Sequence, residues 1–173
     1  DIFGTAYDND IWFIMATGEE IVKNGIPYTN PFSLHEGMGI VVQQWLSCVI
    51  SYLIYGAGGF VGLGIWTLFL FAILVFSFYR VSRMIRDDSY GSEMITLVFL
   101  PLVPILSTYA SVRPHLYTMI AFVWIVGLLT AYRRTSKLAY IVPLPFIVAL
   151  HVNFHASMAP FDIVIMVLSL IHI

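Results

Sequence analysis

The chain has 173 residues, of which 60% are hydrophobic and only 10% are charged, and its formal net charge is −2. A soluble domain is about 45–50% apolar and about 25% charged, so this composition excludes a soluble enzyme and a disordered tail. Binding to nucleic acid needs a basic face, which the charge balance excludes, and the single cysteine excludes a disulfide framework and a zinc cluster. Most of the protein is therefore predicted to lie in lipid.

The first segment, residues 1–58, is less apolar than the rest and holds six of the ten acidic residues. Within it, residues 11–24 have the pattern of a helix, with Asp10 as the N-cap and Gly25 at the C′ position. A second helix is expected from about residue 39 to residue 55. Neither helix is apolar throughout, so both are predicted to lie along the outer membrane surface as parts of a large external loop.

Four later segments have a length and an apolar composition that suit a transmembrane helix, which needs about 20 residues. They are residues 59–79, 94–110, 114–132 and 138–150, and a shorter apolar run follows from residue 159. Two prolines inside the second segment are expected to kink it, which membrane bundles tolerate, and the fourth segment also contains two prolines. The predicted fold class is thus all-α, a polytopic transmembrane bundle of four to five spans over residues 59–167, with membrane-parallel helices in the first external loop.

The basic residues orient this bundle, because six of the eight lie in two clusters, at residues 80–86 and 133–137. Short loops that are rich in Lys and Arg stay on the cytoplasmic side of a membrane. Two spans separate the clusters, so both fall on the same side. The segment 1–58, the link 107–115 and the turn 151–158 are then predicted to be external.

The ends of the chain are typical of a piece of a longer protein, since a chain that starts on the external face is expected to follow an earlier span. The last six residues, 168–173, resemble the translated read-through of a sequencing adapter and are interpreted as a non-native tail. The alternative is a genuine helix that simply stops. In either case His172 is left out of the candidate site.

Polar groups that can carry chemistry gather in three places on the predicted external side. The first holds Asp8 and Asp10, which can bind a divalent cation or supply a base, although capping of a helix by Asp10 explains them as well. The second holds Arg113 and His115, where the arginine can clamp a phosphate or anchor a helix at the lipid headgroups. Either interpretation is compatible with the residue types.

The third place is the segment 151–155, which contains His151, Asn153 and His155. Such groups near membrane depth are costly unless they are paired, so they indicate either a functional cavity or a hydrogen-bond network between helices. On the second external helix, Gln44 adjoins a polar stripe on an otherwise apolar cylinder.

Several short motifs occur in an order that resembles a known family. They are Asp8-Asn9-Asp10, Ile11-Trp12-Phe13, Ala16-Thr17-Gly18-Glu19, Gly25-Ile26-Pro27, Thr29-Asn30-Pro31-Phe32-Ser33, Trp45-Leu46-Ser47, Arg113-Pro114 and Val152-Asn153-Phe154-His155. In this order the chain resembles the bacterial multi-span membrane proteins related to the GT-C glycosyltransferases, such as protein O-mannosyltransferases and lipid-A sugar transferases. The resemblance covers nearly the whole chain, up to the suspected tail.

The resemblance implies transfer of a sugar from a polyprenyl-phosphate donor to a lipid, glycan or protein acceptor, on the external face of a bacterial inner membrane. It implies that Asp8 or Asp10 is the catalytic base or a metal ligand, and that Arg113 holds the carrier phosphate. The residues implied to line the substrate pocket are His115, Asn153, His155 and Gln44.

Four positions depart from the pattern of this family. Ile14 stands where relatives often carry His, Asn30 replaces a frequent Asp, and residues 43–44 are Gln-Gln where His-Glu is common. Each exchange removes a titratable group. The resemblance therefore does not by itself imply that this chain binds a divalent cation or that it is catalytically active. The alternative functions are a transporter or flippase for a lipid-linked or small anionic substrate, which the proline-broken spans favour, and a non-catalytic membrane subunit. The gathering of polar groups at the external ends favours the enzyme.

Overall fold

A computed structural model describes residues 10–85, 113–156 and 159–171 of the chain, with side chains up to residue 167. These residues form five α-helices and one short 3₁₀ helix. The elements are α1 (Asp10–Asn24), α2 (Trp45–Ile85), α3 (His115–Thr135), the 3₁₀ helix (Leu138–Tyr140), α4 (Leu144–His155) and α5 (Ala159–Ile171). The described part of the chain contains no strand, so the all-α prediction is confirmed there.

Three helical stretches are long and apolar enough to cross a membrane. They are Trp45–Ile85, His115–Thr135 and Leu138–His155. They overlap three of the predicted spans, whereas the predicted span at residues 94–110 lies outside the described residues. α5 has 13 residues, which is shorter than the roughly 20 that a span needs. The length and composition of these helices indicate a membrane protein.

α1 packs one face against α2, and this face has helical spacing. Its buried residues recur every three or four positions: Ile11, Ile14, Met15, Gly18 and Ile21. Gly25 follows the helix with φ of 85°, and its N–H donates to Ile21 O at 2.9 Å. The prediction of a helix that ends at Gly25 is confirmed, because the residue directly after the helix adopts the left-handed conformation that glycine tolerates best.

α2 begins at Trp45, later than the predicted start near residue 39. The backbone of residues 38–40 instead forms a short antiparallel bridge with residues 28–30, with N···O distances of 2.7 and 3.1 Å. These bonds hold residues 38–40 in an extended conformation. The predicted helical start was therefore wrong because a contact about ten residues away in sequence prevents it.

The chain turns back within α2 at Gly59, which has φ of 57° and ψ of −149°, a conformation that side chains other than glycine rarely adopt. We name residues 45–58 the proximal arm and residues 60–85 the distal arm. A Cβ at Gly62 would lie 3.1 Å from Ile54 O. Eight residues of a straight helix rise by about 12 Å, so the two arms lie side by side near the turn. The predicted second external helix corresponds to the proximal arm.

The distal arm of α2 and α3 run parallel to each other. Trp66 Nε1 donates to Tyr117 Oη at 2.8 Å near the start of α3, and Trp124 Nε1 donates to Ser77 Oγ at 3.0 Å further along both helices. A cluster of buried aliphatic residues, which includes Leu74, lies between them. This parallel arrangement places the ends of both helices, with their basic residues, at the same end of the bundle.

α4 returns antiparallel to α3, since its last residue lies near the start of α3 and its first residue, Leu144, packs in one cluster with Leu128 near the end of α3. Pro143 is the N-cap of α4, and Pro145 lies in its first turn. Proline is tolerated there because its missing N–H has no partner in the first turn of a helix. The two prolines of this predicted span therefore lie at the start of α4, after the 3₁₀ helix.

Candidate functional site

Several helix ends meet at the end of the bundle opposite the basic residues, and we name this region the polar end. It contains Asp10 at the start of α1, Trp45 at the start of α2, residues 113–118 at the start of α3, residues 151–155 in α4, and Asp162 in the first turn of α5. Segments that are far apart in sequence thus bring most of the candidate residues together. The site is built from helix ends, which the fold holds at fixed positions.

Asp10 and Arg113 form an ion pair at the polar end. Arg113 Nη2 lies 3.1 Å from Asp10 Oδ2, and the two side chains are 32% and 65% exposed, respectively. An exposed pair of this kind contributes only about 0–1 kcal/mol to stability. Both groups can therefore exchange partners at little cost when an anionic ligand arrives.

His115 and His155 lie next to this ion pair. Their ring centroids are 5.2 Å apart with the planes at 47°, and the charges of Asp10 and Arg113 lie close enough to act on His115. The Nδ1 atom of His115 is buried and has no hydrogen-bond partner within the described part of the chain. The structure thus brings four of the predicted site residues to one place.

A chain of buried hydrogen bonds continues from His155 into the bundle. Thr118 Oγ1 lies 2.8 Å from His155 Nδ1 and 3.2 Å from His151 Nε2, so it bridges the two imidazoles. His151 Nδ1 lies 2.5 Å from Asp162 Oδ2, and both of these side chains are almost completely buried, at 0% and 1% exposure. We name Asp162, His151, Thr118 and His155 the buried chain.

Sequence reasoning missed two members of the buried chain and left His151 outside the candidate pocket. The four-residue spacing of His151 and His155 already places both on one face of a helix. Asp162 is a carboxylate within an apolar helix, where a charge is costly unless it is paired, and this signal could have identified it. Thr118 carries no comparable signal, because single threonines are ordinary in membrane helices.

Asn153 connects the start of α2 to the end of α4, whereas the backbone of Gln44 bonds within the start of α2. Asn153 Oδ1 accepts a hydrogen bond from Trp45 Nε1 at 2.7 Å, and its Nδ2 donates to Ala149 O at 2.7 Å. Gln44 O accepts a hydrogen bond from Ser47 Oγ at 2.8 Å. The amide of Asn153 is thus bonded to protein on both sides, and it fastens the start of α2 beside the polar end.

The predicted metal site is described only in part. Asp8 lies outside the described residues, so the structure shows Asp10 without the other half of the predicted acidic pair. In residues 10–85, 113–156 and 159–167, no three His, Cys, Asp or Glu side chains are arranged to hold a metal ion. A divalent cation at Asp8 and Asp10 stays a prediction.

Two cavities adjoin these groups. The first has a volume of about 10 Å³, which is room for about one water molecule. Its lining includes Arg113, Tyr117, Trp66, Thr67, Ser47 and Ser51. The second has a volume of about 190 Å³ and an almost wholly apolar lining, and it lies between α3 and α4 beside His151. Arg113 thus adjoins a small cavity with a mixed polar and apolar lining, whereas His151 adjoins an almost wholly apolar one.

Comparisons of the chain with protein-family models, with curated proteins and with solved structures gave no match. Its function is therefore inferred from the chemistry of the polar end.

Proposed function

We propose that this chain is part of a membrane glycosyltransferase that transfers a sugar from a polyprenyl-phosphate donor to a hydroxyl of a lipid, glycan or protein acceptor, at the external face of a bacterial inner membrane. The observation that carries the proposal is the pair of Asp10 and Arg113, which lie 3.1 Å apart at the end of the bundle opposite the basic residues, with the carboxylate exposed and the guanidinium partly buried. A carboxylate base beside a phosphate-binding group is what this transfer requires.

Arg113 has the chemistry to bind the donor and to stabilise its departure. A guanidinium can form two parallel hydrogen bonds to phosphate oxygens. As the bond between the sugar and the phosphate breaks, negative charge grows on the phosphate, and a fixed cation beside it lowers the barrier. The membrane supplies the donor in the plane of the bilayer, so no nucleotide-binding loop is needed.

Donor binding also gives Asp10 its role. A phosphate that takes the guanidinium of Arg113 competes with the Asp10 carboxylate, so the carboxylate loses its partner when the donor is in place. It can then accept the proton of the acceptor hydroxyl as that oxygen attacks the anomeric carbon. His115 lies beside both groups, and its buried Nδ1 is suited to a hydrogen bond with the substrate. The resting ion pair thereby keeps the base masked until donor arrives.

The test uses the full-length protein in lipid vesicles with a radiolabelled polyprenyl-phosphate sugar. Asp10→Asn is expected to lower the transfer rate by about 10²-fold or more, as loss of a general base does. Arg113→Lys is expected to raise KM and lower kcat, because lysine cannot form the two parallel bonds. Two matched controls make the same kinds of exchange at other positions, Glu20→Gln in α1 and Arg133→Lys in the last turn of α3.

Transfer by Asp10→Asn that equals transfer by Glu20→Gln would show that Asp10 is not the base. Equal kinetics of Arg113→Lys and Arg133→Lys would show that Arg113 does not hold the phosphate. Movement of the labelled lipid across the vesicle membrane without a new glycosidic bond would reject the enzyme and favour the transporter or flippase.

A further inference from the structure

The buried chain is not used by the reaction described above, although it ends at the polar end. Its four members are joined by three short contacts, Asp162 to His151, His151 to Thr118, and Thr118 to His155. They come from three helices, α3, α4 and α5, and no two of them are adjacent in sequence. Two buried ionisable groups at this depth are costly to keep, so their presence calls for an explanation.

The positions of the protons follow from the chemistry of each member. A carboxylate can only accept hydrogen bonds, so Asp162 requires the proton of His151 to be on Nδ1. The Nε2 atom of His151 is then an acceptor and takes the hydroxyl proton of Thr118. The Thr118 oxygen in turn accepts from His155, which requires the proton of His155 to be on Nδ1. Each group thereby determines the state of the next.

We propose that Asp162, His151 and Thr118 form a positioning relay that holds His155 with its proton on Nδ1 and its lone pair on Nε2. In the reaction proposed above, His155 Nε2 would take over the proton that Asp10 has accepted from the acceptor hydroxyl, and this transfer returns Asp10 to its carboxylate form. The logic is that of a buried carboxylate that fixes the tautomer of a histidine, here extended by one hydroxyl and one further imidazole. The three relay residues act through His155 and do not touch the substrate.

The relay also gives an accepted proton a place to go. When His155 Nε2 gains a proton, His155 Nδ1 passes its own proton to Thr118 Oγ1, and Thr118 passes its hydroxyl proton to His151 Nε2. At the end His155 is neutral with its proton on Nε2, Thr118 is unchanged, and His151 is an imidazolium. The positive charge then rests opposite the Asp162 carboxylate, and every bond that breaks is matched by one that forms.

The surroundings favour charge at His151 over charge at His155. His155 lies 5.2 Å, centroid to centroid, from His115, which in turn lies close to the Arg113 cation, so a positive charge there would be repelled. His151 has the carboxylate of Asp162 at 2.5 Å and an apolar cavity beside it. In such a low-dielectric environment a charged pair is strongly coupled. The proton is thus drawn away from the site along the buried chain.

The tautomers can be measured without any substrate. The full-length protein is labelled with ¹⁵N-histidine, reconstituted in lipid and examined by solid-state NMR, which distinguishes a protonated ring nitrogen from an unprotonated one. Spectra of His151→Phe and His155→Phe assign the two residues. In the wild-type protein both are expected to carry the proton on Nδ1, whereas histidine free in water favours Nε2. A wild-type His155 with its proton on Nε2 would overturn the proposal.

Substitutions of Thr118 test the coupling. Thr118→Val has nearly the same shape but no hydroxyl, so His155 is expected to move its proton to Nε2 while His151, still held by Asp162, does not change. Thr118→Ser keeps a hydroxyl and is expected to retain the wild-type tautomers at both residues. An unchanged His155 in Thr118→Val would show that the relay does not set its state.

Asp162→Leu gives an independent test at the far end of the buried chain. Without the carboxylate, His151 is expected to move its proton to Nε2 and to donate to Thr118, which then donates to His155 Nδ1. His155 should therefore also change to the Nε2–H form. A change at His151 alone, or at neither residue, would overturn the relay. If this variant does not fold, the comparison of Thr118→Val with Thr118→Ser still tests whether the relay sets the tautomer of His155.

Use of the relay during sugar transfer rests on the proposed function, whereas the tautomer coupling does not. In the transfer assay, Thr118→Val is expected to lower kcat by about tenfold or more with little change in KM, and Thr118→Ser to restore it, since proton transfer typically contributes about 10²–10⁴-fold. Coupled tautomers in a protein that transfers no sugar would reject the enzyme alone. Active transfer with uncoupled tautomers would reject the relay alone.

Discussion

α1 and α2 approach each other closely at Gly18, and replacement of this glycine by alanine tests how tightly the helix that carries Asp10 is held. A Cβ at this position would lie 2.7 Å from the carbonyl carbon of Cys48 and 2.8 Å from Tyr52 Cβ. Both are atoms that no side-chain rotation can move. Gly18→Ala therefore requires the two helices to separate.

The size of the effect follows from these distances. Ordinary contact begins at about 3.4 Å, and the carbonyl oxygen of Cys48 would lie even closer than its carbon, so the backbones must move apart by at least about 0.7 Å. Overpacking of a tight interface costs about 1–3 kcal/mol, while alanine gains about 1 kcal/mol over glycine in helix propensity. Gly56→Ala in the proximal arm gains the same propensity, and its Cβ would have nothing within 4 Å. The difference between the two variants thus isolates the clash at about 1–3 kcal/mol.

The assay is thermal unfolding in lipid nanodiscs, followed by circular dichroism. A change of 1 kcal/mol shifts Tm by about 2–4 °C in a domain of 150–250 residues. Gly18→Ala is therefore expected to melt roughly 2–12 °C below Gly56→Ala. Equal Tm values, or a higher Tm for Gly18→Ala, would show that α1 does not approach the proximal arm as closely as described.

Three further outcomes are expected. Gly59→Ala should lower stability by about 1–3 kcal/mol in the same melting experiment. The site has space for a Cβ, but its φ of 57° is one that alanine tolerates poorly. An unchanged Tm would show that the backbone does not turn at Gly59 as described. A double-mutant cycle of Ser77→Ala and Trp124→Phe, measured by unfolding in detergent, should give a coupling energy of about 0.6 kcal/mol, as hydrogen bonds between membrane helices do. Additive effects of the two substitutions would show that Trp124 does not donate to Ser77. The corresponding cycle for Asp10 and Arg113 should give at most about 1 kcal/mol, and this value should fall between 0.05 and 0.5 M salt, with a salt-independent value refuting an exposed pair.

Local rules predicted the local parts of the fold correctly. Gly25 marks the end of α1 because a residue in the left-handed conformation often follows a helix directly. A single glycine at one sequence position is enough to signal it. The turn at Gly59 is likewise signalled by a glycine-rich stretch. The apolar length of α3 predicted its extent to within about three residues at its far end, since a span is defined by composition alone.

Contacts between distant residues explain what the sequence did not reveal. The later start of α2 comes from backbone bonds between residues 28–30 and residues 38–40, which no helical pattern signals. The partner of Asp162 lies on another helix, eleven residues earlier, so its role becomes visible only when α4 and α5 are in place. Arg113 and Asp10 are more than a hundred residues apart in sequence. The only sequence-based reason to expect their contact was the prediction that both lie on the external side of the membrane.

The turn at Gly59 shapes how ligands reach the polar end. α3 begins beside Trp66, so residues 60–65 of the distal arm extend about 9 Å beyond the start of α3. α1 and both arms of α2 contribute side chains to the small cavity beside Arg113. Under the proposed function, protein therefore closes that side of Arg113, and a donor and an acceptor would have to approach it from the remaining sides.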